Sequence, residues 1–111
     1  MRIRSFEKDG FTFTVIYVDD YVRYRELGRI PDELEGVRLG NVVVLAGKMP
    51  SWYAEGILAY IARNFSEVKA FGIWRPPAKK VLITYSELDL LPVNSWIEPS
   101  SAMRSFCETG E

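Results

Sequence analysis

The clearest pattern in the chain is an alternation of side chains over residues 11–18, FTFTVIYV. Every second residue is aromatic or aliphatic and lies on one face: Phe11, Phe13, Val15 and Tyr17. This period of two predicts a β-strand. The turn signal Asp9-Gly10 precedes it, so residues 2–7 are predicted to pair with it in a hairpin.

Residues 41–65 combine a second strand with the best-defined helix. NVVVLAG, residues 41–47, is apolar after its first position, which is typical of a central strand buried on both faces. Pro50 suits the first position of a helix over residues 50–65. The apolar residues of that helix recur at helical spacing: Ala54, Ile57, Leu58, Ile61 and Phe65.

Residues 20–36 predict a broken helix. Asp20 is a possible N-terminal cap, and Gly28 is predicted to end the first segment. Pro31 then begins a second turn that carries Leu34.

The C-terminal half predicts more strands. Residues 68–74 and 79–85 form an antiparallel hairpin around an RPPA turn, and residues 93–98 form a short strand. The tail from residue 99 has no clear pattern. This order of elements predicts a single α+β domain over residues 1–111, with a ferredoxin-like sandwich, a mainly antiparallel sheet and two helices on one face.

Charge and composition exclude some functions. Fourteen basic and fifteen acidic residues give a net charge of −1, which argues against broad nonspecific nucleic-acid binding but leaves room for a local basic pocket. No apolar run is long enough to span a bilayer, and the first ten residues lack the apolar core of a signal peptide. We therefore expect a cytoplasmic protein with no membrane partner.

The residues for several kinds of catalysis are missing. The chain has no histidine, so Ser-His-Asp and Cys-His arrangements are impossible. Its only cysteine, Cys107, has no evident activating partner. The acidic residues show no ligand spacing, so we expect neither a metal site nor a cofactor. The pair Asp19-Asp20 is compatible with magnesium, although capping a helix is the commoner use.

Two turns carry the candidate binding residues. The first, residues 47–52, joins a buried strand to a helix N-terminus, where free amides and the helix dipole favour anions and where Lys48 and Ser51 add donors. The second is the hairpin tip, where Arg75 and Lys79 are able to grip phosphate and Trp74 to stack on a base. The alternatives are an ordinary loop with a surface lysine and a solvated turn beside a core tryptophan.

Three segments together resemble the small CRISPR-associated ring nucleases of the Csx type. They are Gly47-Lys48-Met49-Pro50-Ser51-Trp52 with the helix after it, Trp74-Arg75-Pro76, and Ser86-Glu87-Leu88. In that family a G-R-x-P-x-W motif opens the helix and an aromatic-Asp-Pro turn ends a strand. The resemblance covers residues 11–98. It implies a ferredoxin-like fold, assembly into dimers or tetramers, and manganese-dependent cleavage of cyclic tetra-adenylate.

The departures from the family pattern concern catalysis. Lys48 stands in place of an arginine, and Arg75 in place of the aspartate before the hairpin proline. Pro77 replaces the following arginine, although Lys79 or Lys80 is able to restore a cation. Both family histidines are missing. Exchanging aspartate for arginine changes the local preference from metal to phosphate.

Three functions remain open at this point. The first is a protein that binds cyclic oligoadenylate or a short RNA without family-type catalysis, with Lys48 and Arg75 on phosphates and Trp74 or Tyr53 stacked on adenine. The second is a metal-independent ring nuclease in which the ribose 2′-hydroxyl attacks the neighbouring phosphate. The third is an oligomerising protein-interaction module without a nucleotide ligand.

Overall fold

The computed structural model describes residues 1–19 and 21–111, and its centre is one six-stranded sheet. The strands are β1 (Arg2–Lys8), β2 (Phe11–Val18), β3 (Val42–Gly47), β4 (Ala70–Arg75), β5 (Lys80–Ser86) and β6 (Trp96–Ile97). They lie side by side in chain order. The central strands β2, β3 and β4 run parallel, whereas β1, β5 and β6 pair antiparallel with their neighbours. The fold is therefore α+β with a mixed sheet.

Two helical crossovers produce the parallel centre. A 3-10 helix (Tyr24–Arg29) continues into the short helix α1 (Ile30–Glu33) between β2 and β3, and α2 (Ser51–Asn64) connects β3 to β4. Parallel neighbours require such crossovers, and their common right-handedness puts both on one face of the sheet. The prediction of a mainly antiparallel sheet is therefore wrong. Each helical crossover carries the chain back to the edge where the preceding strand began, so the next strand runs parallel to it.

A third helix, α3 (Ser101–Thr109), covers the opposite face. Its buried residues Met103, Phe106 and Cys107 join a core with Phe13 and Val15 of β2. The two predicted helical regions do share one face of the sheet, but the prediction missed this third helix, and a ferredoxin-like arrangement is not confirmed. The tail thus has a pattern that the sequence analysis overlooked.

The ends of α3 carry ordinary capping signals. The Ser100 hydroxyl accepts a hydrogen bond from the Met103 amide, and Gly110 ends the helix in the left-handed conformation with φ +75°. Serine before a helix and glycine after it are the preferred residues at these positions. These two residues, with buried side chains spaced three and four apart, were enough to predict the helix.

The two faces of β2 enter two different cores, and the alternation had predicted the strand and the residues of one face. Phe13, Val15 and Tyr17 pack under α3. Ile16 and Val18 pack under α1 and α2, together with Ile57 and Ile61 of α2. β3 is buried along its apolar length, which confirms the prediction of a central strand.

Several predicted boundaries need correction. The helical region begins at Tyr24 rather than at residue 21, and Gly28 lies inside the 3-10 helix instead of ending it. Asp20, the predicted cap, lies outside the described residues. Pro50 is the N-cap of α2 and not its first helical residue. The predicted strand 93–98 is shorter in the structure and covers Trp96–Ile97. No helix in the described ranges is long and apolar enough to cross a membrane.

Candidate functional site

The carboxyl ends of β2, β3 and β4 share one edge of the sheet, because these strands run parallel. β3 pairs with β4 up to Leu45 and Ile73. Beyond that pair each strand runs two residues further, β3 to Gly47 and β4 to Arg75. The two turns predicted from the sequence, residues 47–52 and the hairpin tip, therefore leave the same edge of the sheet from neighbouring strands.

The turn after β3 is held by a close approach of two backbones. Gly47 has φ +91°, and a Cβ atom there would collide with the Val18 carbonyl oxygen. The next amide, that of Lys48, donates a 2.7 Å hydrogen bond to the same oxygen. Only glycine fits this combination of a left-handed conformation and a close neighbour. The Lys48 side chain is exposed beyond it.

The hairpin tip is a compact turn at the end of β4. The amides of Ala78 and Lys79 donate to the Arg75 carbonyl at 3.1 and 2.9 Å. Lys79 adopts φ +53°, which closes the turn. Arg75 and Lys79 are both exposed, so their cations are available to solvent.

One cleft lies between these turns and α3, and we call it the Lys48 cleft. Its volume is about 230 Å³, and its lining residues are Tyr17, Gly47, Lys48, Trp74, Pro76, Cys107 and Glu108. Both predicted turns border this cleft, through Lys48 and Pro76. Trp74 is only 7% exposed and packs into the core under α3, so the part of its ring that reaches the cleft is small.

Arg75 and Lys79 are not among the lining residues of the Lys48 cleft. Side chains alternate along a strand, and Trp74 faces α3, so Arg75 faces the side of the sheet that carries α2. The sequence analysis grouped Arg75 with Lys48, whereas the structure puts their side chains on different sides of the shared edge.

The other two predicted residues lie on α2. Ser51 is exposed at the first position of the helix, which has no side-chain cap. Tyr53 is buried in the core under α2, and burial, with the carboxylates of Glu33 and Glu26, raises its pKa. Its ring is therefore part of the core and is closed to a stacking base.

The Lys48 cleft also contains residues that the sequence analysis did not select, namely Tyr17, Cys107 and Glu108. Burial, together with Glu108, raises the pKa of the Cys107 thiol to about 12. The thiol is thus neutral at physiological pH and a poor nucleophile. Cys107 and Glu108 lie on α3. The capping residues Ser100 and Gly110 were the signal in the sequence that indicated this helix.

A second cleft lies on the other side of the turn 47–50, and we call it the tyrosine cleft. Its volume is about 410 Å³, and its lining residues are Tyr21, Val22, Arg23, Tyr24, Pro50 and Trp52. Both tyrosines belong to residues 20–36, which were predicted from the sequence to form a broken helix, and Arg23 lies between them.

An open part of the sheet lies away from both clefts. Tyr85 on β5 is 48% exposed, and Trp96 on β6 is 50% exposed. A groove of about 490 Å³ runs between α2 and this surface, and Leu58, Phe71 and Tyr85 are among its lining residues.

Acidic residues form no evident metal site in the described ranges. Residues 1–19 and 21–111 contain no group of three or more histidine, cysteine or acidic side chains placed to hold an ion. The proposed pair Asp19-Asp20 falls partly outside these ranges, because Asp20 is not described.

Comparison with known proteins adds no assignment. No protein-family model matches the chain, and no curated protein matches it.

Proposed function

We propose that this chain binds a phosphate-bearing ligand of the oligoadenylate class, cyclic oligoadenylate or a short RNA, at the edge where β2, β3 and β4 end. The observation that carries the proposal is that the turns at Lys48 and Pro76 border one cleft. Carboxyl ends of parallel strands are common sites for ligands, because loops and helix N-termini converge there. In a type III CRISPR system such a protein would act in the cytoplasm as a sensor, a sponge or a regulatory subunit.

The electrostatics of the edge support an anion. Lys48 is exposed and appears in no ion pair among the described residues. The amides of Ser51 and Trp52 begin an uncapped helix, and their dipoles point toward the same edge. Arg75 and Lys79 add positive charge on the adjacent turn. Glu108 is the acidic residue of the cleft, so its carboxylate weakens the attraction.

Isothermal titration against cyclic tetra-adenylate tests this proposal. A charged hydrogen bond contributes about 1.5–3 kcal/mol, so Lys48→Ala should weaken binding roughly ten- to hundredfold. Glu108→Gln should strengthen it, because it removes the opposing charge. Lys69→Ala is the matched control, since Lys69 is also an exposed lysine and lies just before the opposite end of β4. Wild-type protein that gives no heat at high micromolar ligand would refute the proposal.

The same samples distinguish binding from cleavage. In EDTA, a metal-independent nuclease would open the ring through its ribose 2′-hydroxyl, with Lys48 and Ser51 stabilising the developing charge. If cyclic tetra-adenylate stays intact after prolonged incubation with saturating protein, the protein binds the ring without cleaving it.

A second function, assembly through protein contacts, is favoured by the open part of the sheet. Tyr85 and Trp96 are exposed aromatic residues of the kind that concentrate at interfaces. We propose a homodimer or tetramer that uses this surface. Trp96→Ser should lower the sedimentation coefficient of the assembly and leave titration of the ligand unchanged. A wild-type protein that sediments as a monomer at high concentration would rule out this second function.

A further inference from the structure

Two tyrosines of the tyrosine cleft are unusually exposed for aromatic residues. Tyr21 is 87% exposed and Tyr24 is 76% exposed. Tyr24 nevertheless has a defined neighbour, since its ring centroid lies 4.7 Å from that of Trp52 at an interplanar angle of 46°. One side of this aromatic pair is packed against the protein, and much of the remaining ring surface faces water.

The cleft around these rings suits a flat ligand. Its volume of about 410 Å³ lies within the range of small-molecule sites, and Pro50 closes one side. The Arg23 guanidinium lies 6.0 Å from the centroid of the Tyr21 ring. Aromatic faces with a guanidinium beside them are the groups that hold unpaired nucleobases.

Among the described residues that line the tyrosine cleft, the charged one is the cation Arg23. Two other arginines of the segment, Arg25 and Arg29, lie 4.0 and 3.6 Å from the Glu26 carboxylate. Asp19 and Asp20 precede Tyr21 in the chain. The attraction for an anion therefore comes from the Arg23 guanidinium beside the rings and not from an excess of positive charge in the segment.

We propose that the tyrosine cleft stacks a nucleobase of a single-stranded oligonucleotide, on the exposed rings of Tyr21 and Tyr24. Lys48 lies two residues before Pro50, which is at most about 7 Å of extended chain. A base in the cleft therefore leaves its neighbouring phosphate within reach of the turn 47–50. This inference rests on the proposed function, and it adds a site for the base to the site for the phosphate.

Two probes separate the base from the phosphate. They are linear tetra-adenylate with a 5′-phosphate and an abasic ribose-phosphate chain of the same length, titrated at one fixed salt concentration. Replacing Tyr21 and Tyr24 together by alanine should weaken tetra-adenylate binding roughly ten- to hundredfold, because stacking on the rings is lost. Binding of the abasic chain should not change. Replacing both tyrosines by phenylalanine should retain binding, since stacking uses the ring face.

Tyr60→Ala is the matched control, because it removes a partly exposed tyrosine of α2 that lines neither the tyrosine cleft nor the Lys48 cleft. It should change binding of neither probe. Lys48→Ala should weaken both probes. If the double alanine variant binds tetra-adenylate as tightly as wild type while Lys48→Ala does not, stacking is overturned and the proposed function stands. If wild type binds neither probe, both proposals fail.

Discussion

Replacing Gly47 by alanine tests the geometry on which the candidate site depends. Gly47 connects β3 to the turn that carries Lys48, and it adopts φ +91°. Its Cα lies so close to β2 that an added methyl group would meet the carbonyl oxygen of Val18 and would lie 2.9 Å from the carbonyl carbon. The substitution therefore combines an unfavourable conformation with a collision between two backbones.

The expected cost is the sum of three contributions. The left-handed conformation costs a residue with a Cβ about 1–2 kcal/mol. Relieving the collision by moving the strands costs about 1–3 kcal/mol, as in other overpacked sites. The same movement weakens the 2.7 Å hydrogen bond from the Lys48 amide to Val18, which contributes about 1 kcal/mol. We therefore expect the free energy of unfolding to fall by roughly 3–6 kcal/mol.

Gly10→Ala is the matched control for this experiment. Gly10 has a similar φ of +84°, but nothing lies within 4 Å of the position where its Cβ would be. Only the conformational cost of about 1–2 kcal/mol applies there. Urea unfolding, followed by tryptophan fluorescence, measures both variants. Equal losses of stability for the two variants would show that β2 does not approach Gly47 closely, and the geometry of the shared edge would then be wrong.

Two further predictions concern α3. Met103→Ala should lower the free energy of unfolding by about 2–5 kcal/mol, because Met103 is fully buried between α3 and the sheet. Ser105 is exposed on the same helix, so Ser105→Ala should change that free energy by less than about 0.5 kcal/mol. If urea unfolding gave equal effects for the two variants, α3 would not cover this face. Burial raises the pKa of Cys107 from 9.0 to about 12, so the fold favours the neutral thiol. The contribution of the buried Cys107 thiol to the free energy of unfolding should be complete below pH 9 and should be lost as the pH rises toward 12. The difference in stability between wild type and Cys107→Ala should therefore shift by about 1.4 kcal/mol per pH unit in that window, and a constant difference would contradict this pKa.

Much of the local structure could be predicted from the sequence. The alternation over β2 assigned its two faces correctly, and the apolar run of β3 indicated burial on both sides. These predictions succeeded because period-two and period-3.6 patterns reflect which side chains meet the core within a single element. The tail was misread even though Ser100 and Gly110 carried the capping signals of α3.

The candidate site was harder to predict. The two turns that were chosen from the sequence do lie at one edge of the sheet and border one cleft. Tyr53, however, was predicted to stack on a base, and Arg75 was grouped with Lys48. Tyr53 is in the core because it lies on the same face of α2 as Ile57 and Ile61. Arg75 points away because it follows Trp74, which faces α3. Each error concerns which face a residue occupies, and that depends on where the elements pack.

The sequence by itself determined where strands and helices lie and which turns carry cations. Only the tertiary structure decided that β2, β3 and β4 end at one edge, that α3 closes the Lys48 cleft and that Tyr21 and Tyr24 remain exposed. The physical reason is range. Periodicity and capping act within about ten residues, whereas strand neighbours and cleft walls come from contacts between residues far apart in the chain, such as Tyr17 and Cys107.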